Sequence, residues 1–150
     1  MEKKTGIFVE GLTLHFGLKG KILDFKKFKE WLAYEDEHDV FYFNCLSDKT
    51  SFLTYLSKSG YILHVRKPIF YKNIEKYTTY GIDVELATIV MEKINDYDKF
   101  IIVSGKADYI PLVEKLVEYN KEVEIVNFKD SINSAFYNYK VTHIEDFFKN

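Results

Sequence analysis

Short apolar runs alternate along the chain with amphipathic stretches, and this pattern is typical of βαβ units built around a parallel sheet. The apolar runs are rich in Ile, Val, Phe and Tyr, which favour strands. They predict five strands, at residues 5–10, 39–44, 61–65, 99–104 and 122–127.

Between these runs, apolar residues recur at three- and four-residue spacing, which predicts helices. Asp24 and Ser47 occupy N-cap positions, and Gly60 ends the second helix before a strand. The predicted helices cover residues 24–34, 47–58, 82–95 and 108–119.

Two segments lack a clear period. We expect a loop or small hairpin over residues 66–81. We expect a short helix and a packed tail, which closes the edge of the sheet, over residues 131–150. No linker or repeat interrupts the pattern. The sequence therefore predicts a single α/β domain over residues 1–150, with a five-stranded, mainly parallel sheet.

Composition supports an ordered intracellular chain. Of 150 residues, 47% are hydrophobic, with 13 Phe, 12 Tyr and only 2 Pro, which is the opposite of a disorder signature. The single cysteine, Cys45, cannot form an intramolecular disulfide, and the apolar run near Met1 is too short for a signal peptide or membrane span. We therefore expect a cytoplasmic protein without a membrane partner.

Three carboxylates are expected near one edge of the sheet. Ligands of open parallel sheets bind outside the carboxyl ends of the strands, where strand order reverses. Glu10 ends the first predicted strand, Asp108 follows the fourth, and Asp83 lies in the first turn of the preceding helix. Clustered carboxylates favour a hard cation such as Mg²⁺ or Mn²⁺. Asp83 and Asp108 are equally explained as first-turn acids that stabilise their helices.

Other ligand classes of similar folds fit less well. A dinucleotide site requires G-x-G-x-x-G after the first strand, whereas residues 10–15 read EGLTLH. No P-loop is present, and the third predicted strand ends in LHVR without a phosphoacceptor aspartate.

Three motifs resemble the NYN domains, the LabA-like branch of the PIN-like nucleases. Residues 8–14 (FVEGLTL) resemble F-I-D-G-x-N-L, residues 80–87 (YGIDVELA) are similar to K-G-V-D-V-x-L-A, and residues 102–113 (IVSGKADYIPLV) to L-V-S-G-D-G-D-F-x-P-L-V. The motifs occur in the family's order and spacing over most of the chain.

The resemblance implies a Rossmann-like, three-layer PIN-type sandwich and divalent-metal-dependent cleavage of single-stranded RNA. It implies that Glu10, Asp83 and Asp108 hold one Mg²⁺ or Mn²⁺ ion and act in catalysis. Lys106, which departs from the family pattern, is the fourth candidate catalytic residue.

Departures from the family pattern concern the same site. Lys106 stands where the family has the first aspartate of its S-G-D motif, Ile89 where a helix aspartate is common, and Thr13 where asparagine is usual. Lys106 could take the metal's place by pairing with Glu10 or Asp108, since an ammonium near a divalent ion is repelled. Two hypotheses stay open: a weakened ribonuclease in which Lys106 contacts the scissile phosphate, or an inactive module that binds RNA or a protein. A homodimer is compatible with either.

A basic and aromatic segment could contact RNA. Phosphates are bound by basic groups and unpaired bases stack on aromatic rings; a packed hairpin with solvated lysines is the alternative. The predicted nucleic-acid contacts are four basic residues of this segment and two small polar residues beside the carboxylates. The basic residues are Arg66, Lys67, Lys72 and Lys76, and the small polar residues are Thr13 and Ser104.

Overall fold

The computed structural model describes residues 3–45, 49–67, 69–73, 76–78 and 81–149. Its strands are β1 Lys4–Glu10, β2 Glu37–Cys45, β3 Tyr61–Arg66, β4 Ile69–Tyr71, β5 Lys76–Thr78, β6 Lys99–Val103, β7 Glu122–Asn127 and β8 Lys140–His143. Its α-helices are α1 Gly11–Leu18, α2 Phe25–Ala33, α3 Thr50–Lys58, α4 Ile82–Glu92, α5 Ile110–Glu118 and α6 Glu145–Phe148.

Six of the strands form one parallel sheet in the order β3-β2-β1-β6-β7-β8. The chain runs outward from β1 to β3 and then returns to the other side of β1, so strand order reverses between β1 and β6. The carboxyl ends of these two strands therefore flank the crevice in which a doubly wound fold binds its ligands.

The alternation of side chains along the strands divides the core into two layers. Ile7 and Val9 of β1 face the layer packed with α1, α2 and α3, whereas Phe8 faces the layer packed with α4 and α5. Glu10 is two residues beyond Phe8, so β1 directs it toward α4 and α5. The α/β class and the parallel sheet with helices on both faces are confirmed.

The sheet has six strands rather than the five expected. The additional strand, β8, has only four residues, KVTH, and pairs with β7 at the edge. Helix α1 was also not expected; it follows β1 without a break and includes Gly11 and Gly17, which are poor helix formers.

Local signals at the helix ends agree with the structure in part. Asp24 caps α2 by accepting a hydrogen bond from the Lys27 amide, and Gly60 adopts φ +96° after α3. The predicted cap Ser47 lies outside the described residues. Strands β4 and β5 form an antiparallel hairpin within the segment 66–81. None of the helices in the described part of the chain could cross a membrane.

Candidate nucleic-acid site at the strand crossover

Glu10 lies at the bottom of the crevice, at the end of β1. Its side chain is only 1% exposed. Oε2 accepts a 2.6 Å hydrogen bond from the Tyr109 hydroxyl, while Oε1 is buried and accepts no hydrogen bond within the described part of the chain. Burial raises the pKa of Glu10 above its ordinary value, although Tyr109 and the charge of Lys106 oppose this shift.

Asp83 reaches the same place from the first turn of α4. The helix begins at Gly81, whose φ of +69° is a left-handed conformation that glycine adopts without strain. A carboxylate in a first helical turn is favoured by the helix dipole. Oδ1 of Asp83 lies 3.0 Å from the Tyr109 hydroxyl, which therefore stands between the two carboxylates.

Lys106 is placed by the end of β6 and by a close backbone contact. A Cβ on the preceding residue, Gly105, would lie 2.0 Å from the carbonyl oxygen of Ser131, so only glycine fits. The Asn133 amide also donates a 3.0 Å hydrogen bond to the Gly105 carbonyl. These contacts fix the backbone from which the Lys106 side chain enters the crevice.

The Lys106 ammonium lies between the two carboxylates. Nζ is 3.5 Å from Oε1 of Glu10 and 3.4 Å from each oxygen of Asp83. Burial lowers the pKa of Lys106, but the charges of Glu10 and Asp83 outweigh this effect, so the net shift is upward. The ammonium therefore stays charged, and a cation of the chain itself occupies the centre of the site.

Asp108 does not join this pair. It is exposed in a 3₁₀ turn (Ala107–Tyr109) and borders a neighbouring groove of about 870 Å³, which also contacts Asp83. No ion pair of Asp108 is present among the described side chains. The same turn directs Tyr109, the next residue, into the core, where its side chain is 1% exposed.

A divalent ion does not fit the residues as they are arranged. No group of three His, Cys, Asp or Glu side chains has a metal-binding arrangement in the described ranges. The donor set is reduced to Glu10 and Asp83, and Lys106 neutralises one of their two charges. A divalent ion about 4 Å from the ammonium would be repelled by several kcal/mol even at an effective dielectric constant near 20.

The predicted nucleic-acid contacts on the segment 66–81 differ in their surroundings. Arg66 pairs with Glu85, which also lies 3.6 Å from His64, so this cation is already in an ion pair. Lys67 and Lys72 are exposed, whereas the side chain of Lys76 lies outside the described part of the structure.

The two small polar residues predicted to contact RNA make local hydrogen bonds. Thr13 donates a 3.3 Å bond to the Glu10 carbonyl. Ser104 is buried and accepts a 3.3 Å bond from the Lys106 amide, so it supports the turn that carries the lysine.

Two residues at the site were missed at the level of sequence. Tyr109 contacts both carboxylates, yet an aromatic residue at the start of a helix is more simply explained by core packing. Asn44, at the end of β2, borders the same cavity of about 210 Å³ as Glu10 and Lys106. Its position at a strand end next to β1 was the available signal.

The fold and the crevice at the strand crossover define a doubly wound α/β domain, and comparison with known proteins gives its family. The family model of the NYN domain matches residues 4–145. The chain therefore belongs to the NYN domain family, a member of the PIN-like nuclease superfamily.

One solved structure shares the fold over nearly the whole chain. It is a protein of unknown function from Vibrio parahaemolyticus, with a TM-score of 0.83 and 20% sequence identity over 97% of this chain and 94% of that one. No curated protein is significantly similar to the chain. NYN domains are generally nucleases and typically act on RNA.

Proposed function

We propose that this protein is an NYN domain that binds single-stranded RNA without cleaving it, with Lys106 in place of the divalent cation. The observation that carries the proposal is the position of the Lys106 ammonium, 3.4–3.5 Å from the carboxylates of Glu10 and Asp83. Membership of a family that typically acts on RNA supports the choice of ligand.

Charge balance supports the loss of cleavage. Metal-dependent phosphodiester cleavage needs a centre that activates water and stabilises the developing charge. An ammonium between two carboxylates changes the net charge of the group from −2 to −1 and does not activate water. The proposed role therefore depends on contacts with RNA rather than on hydrolysis.

The experiment compares the wild type with Lys106→Asp, and with Lys58→Asp as a control that makes the same charge change at an exposed position outside the site. Melting temperature is measured in EDTA and in Mn²⁺, because an ion that binds only the native state must raise it. We expect a Mn²⁺-dependent rise only for Lys106→Asp, which supplies a third carboxylate. Anisotropy of a labelled single-stranded RNA is expected to show binding by the wild type in EDTA.

A second candidate function is a weakened Mg²⁺- or Mn²⁺-dependent ribonuclease, which requires Lys106 to move away from Glu10 and Asp83 so that an ion can bind. Two observations favour it: Oε1 of Glu10 accepts no hydrogen bond in the described structure, and the Lys106 contacts are longer than the 2.7–2.9 Å of strong charge-assisted bonds. Mn²⁺-dependent cleavage by the wild type, abolished in Asp83→Ala and retained in Lys58→Asp, would establish this candidate and overturn the first.

A further inference from the structure

A second groove opens next to the acidic site, on the other side of β1. It has a volume of about 750 Å³, within the range of ligand-binding pockets. Helix α1, the α1–α2 connection and the start of α3 form its walls. Leu12 and Asn44 line both this groove and the 210 Å³ cavity of Glu10 and Lys106, so the two spaces adjoin at these side chains.

The chemistry of the groove differs from that of the acidic site. Its surface is mainly apolar and aromatic, with Phe52 and Tyr55 of α3 on one wall. Two of its large apolar side chains face solvent: Ile22 is 92% exposed and Tyr55 is 41% exposed.

The charged side chains among the described residues that line the groove are basic. Lys21, Lys49 and His15 line it and are exposed. The Lys21 ammonium lies 5.4 Å from the Phe148 ring, and neither lysine pairs with an acid within the described ranges. No acidic side chain is found among the described residues that line the groove.

We infer that this groove binds an unpaired base of single-stranded RNA, with Lys21 and Lys49 at the flanking phosphates. Aromatic surfaces combined with basic side chains are the usual means of binding single-stranded nucleic acid without sequence readout. The two exposed lysines and the aromatic wall favour an anionic aromatic ligand over an uncharged partner. The inference rests on the proposed RNA binding and assigns it a location.

The experiment measures binding of fluorescein-labelled decauridylate by anisotropy in EDTA, over a range of salt concentrations. The double variant Lys21→Glu/Lys49→Glu is expected to bind at least tenfold more weakly. Each phosphate contact with a single strand contributes about −0.7 to the slope of log K against log salt. Loss of two contacts should therefore make the slope less steep by about 1.4. The control Lys26→Glu/Lys58→Glu makes the same charge change outside the groove and should bind as the wild type does.

A second pair of variants tests stacking separately from charge. Tyr55→Leu removes the ring and Tyr55→Phe keeps it, while both remove the hydroxyl that accepts a hydrogen bond from the Phe25 amide. Loss of one stacked base weakens binding by about tenfold, so Tyr55→Leu should bind about tenfold more weakly than Tyr55→Phe.

The outcomes separate the two proposals. If the wild type binds no RNA, both the proposed function and the base site are wrong. If it binds RNA and the groove variants bind equally well, RNA binding stands, the base site is wrong, and the groove belongs to another class of partner. Photocrosslinking of a 4-thiouridine-containing strand gives a result that does not depend on the variants: crosslinks to α1, the α1–α2 connection or α3 support the base site, and crosslinks found only elsewhere overturn it.

Discussion

Replacing Lys106 by methionine is the most direct test of the internal ion cluster. The substitution keeps an unbranched side chain and removes the ammonium that lies 3.5 Å from Glu10 and 3.4 Å from Asp83. It leaves a carboxylate that is 1% exposed beside a second carboxylate, without a cation. The native state must then either protonate Glu10 or keep an uncompensated buried charge, and both are unfavourable at neutral pH.

The size of the effect follows from the exposure of the partners. Removal of one partner from a fully buried ion pair costs about 3–5 kcal/mol, whereas exposed pairs contribute about 0–1 kcal/mol. The Lys106 and Asp83 side chains are 38% and 35% exposed, so solvent screens their part of the cluster. We expect Lys106→Met to lower the free energy of unfolding by about 2 kcal/mol, most of it through Glu10.

Urea unfolding followed by the fluorescence of Trp31 measures this change. Trp31 is the only tryptophan and packs between Phe28 and Phe147, with ring centroids 6.0 and 5.3 Å away, so its emission reports the native core. At this chain length the expected loss corresponds to a fall in melting temperature of about 4–8 °C. Lys115→Met, which removes an exposed lysine paired with exposed Glu118, should cost less than about 0.5 kcal/mol.

A double-mutant cycle with Glu10→Gln isolates the interaction. If Lys106 acts through the charge of Glu10, the lysine substitution should cost at least about 1 kcal/mol less in the Glu10→Gln background. Additivity within about 0.3–0.5 kcal/mol would refute the reasoning, because that is the behaviour of independent sites.

Three further predictions concern the same crevice. Tyr109→Phe should lower the free energy of unfolding by about 1–3 kcal/mol, since Glu10 loses a buried hydrogen bond; the control Tyr119→Phe, at a ring 55% exposed, should change it little, and an equal effect of both would contradict this. Burial raises the pKa of Glu10 in the folded state above its unfolded value, near 4.5. The free energy of unfolding of the wild type, relative to Glu10→Gln, should therefore fall by up to about 1.4 kcal/mol per pH unit as pH rises from the unfolded pKa through the folded pKa. Parallel urea titrations that show a flat or opposite pH dependence would refute it. Gly105→Ala should destabilise by about 1–3 kcal/mol, because its Cβ would overlap the Ser131 carbonyl, and an unchanged melting temperature would be evidence against this contact.

Sequence patterns predicted the central elements of the fold because those elements are buried and strongly periodic. The strands β1, β2, β3, β6 and β7 coincide with the predicted runs within one or two residues at each end. Strand β8 was missed because an edge strand of four residues, three of them polar, carries little periodic signal. Helix α1 was missed because glycine at its first position and near its end weakens the local helical preference.

The sequence predicted which residues form the candidate site better than it predicted how they are arranged. The motifs predicted that Glu10, Asp83 and Lys106 lie at one edge of the sheet. In the structure, Lys106 contacts both Glu10 and Asp83. The 3₁₀ turn before α5, which exposes Asp108 and buries Tyr109, depends on how residues 131 and 132 pack against Gly105. Such a contact between distant segments leaves no local pattern in the sequence.

The covalent attachment of the Lys106 ammonium has a consequence for regulation. A dissociable ion fills its site in proportion to its concentration, whereas a charge tethered to the backbone is present at a high and fixed effective concentration. Folding alone thus completes the arrangement of Glu10, Asp83 and Tyr109 around their cation. Under the proposed function, the crevice would keep the same shape and charge at low and at high magnesium concentration. Its binding of RNA would then not depend on the supply of metal.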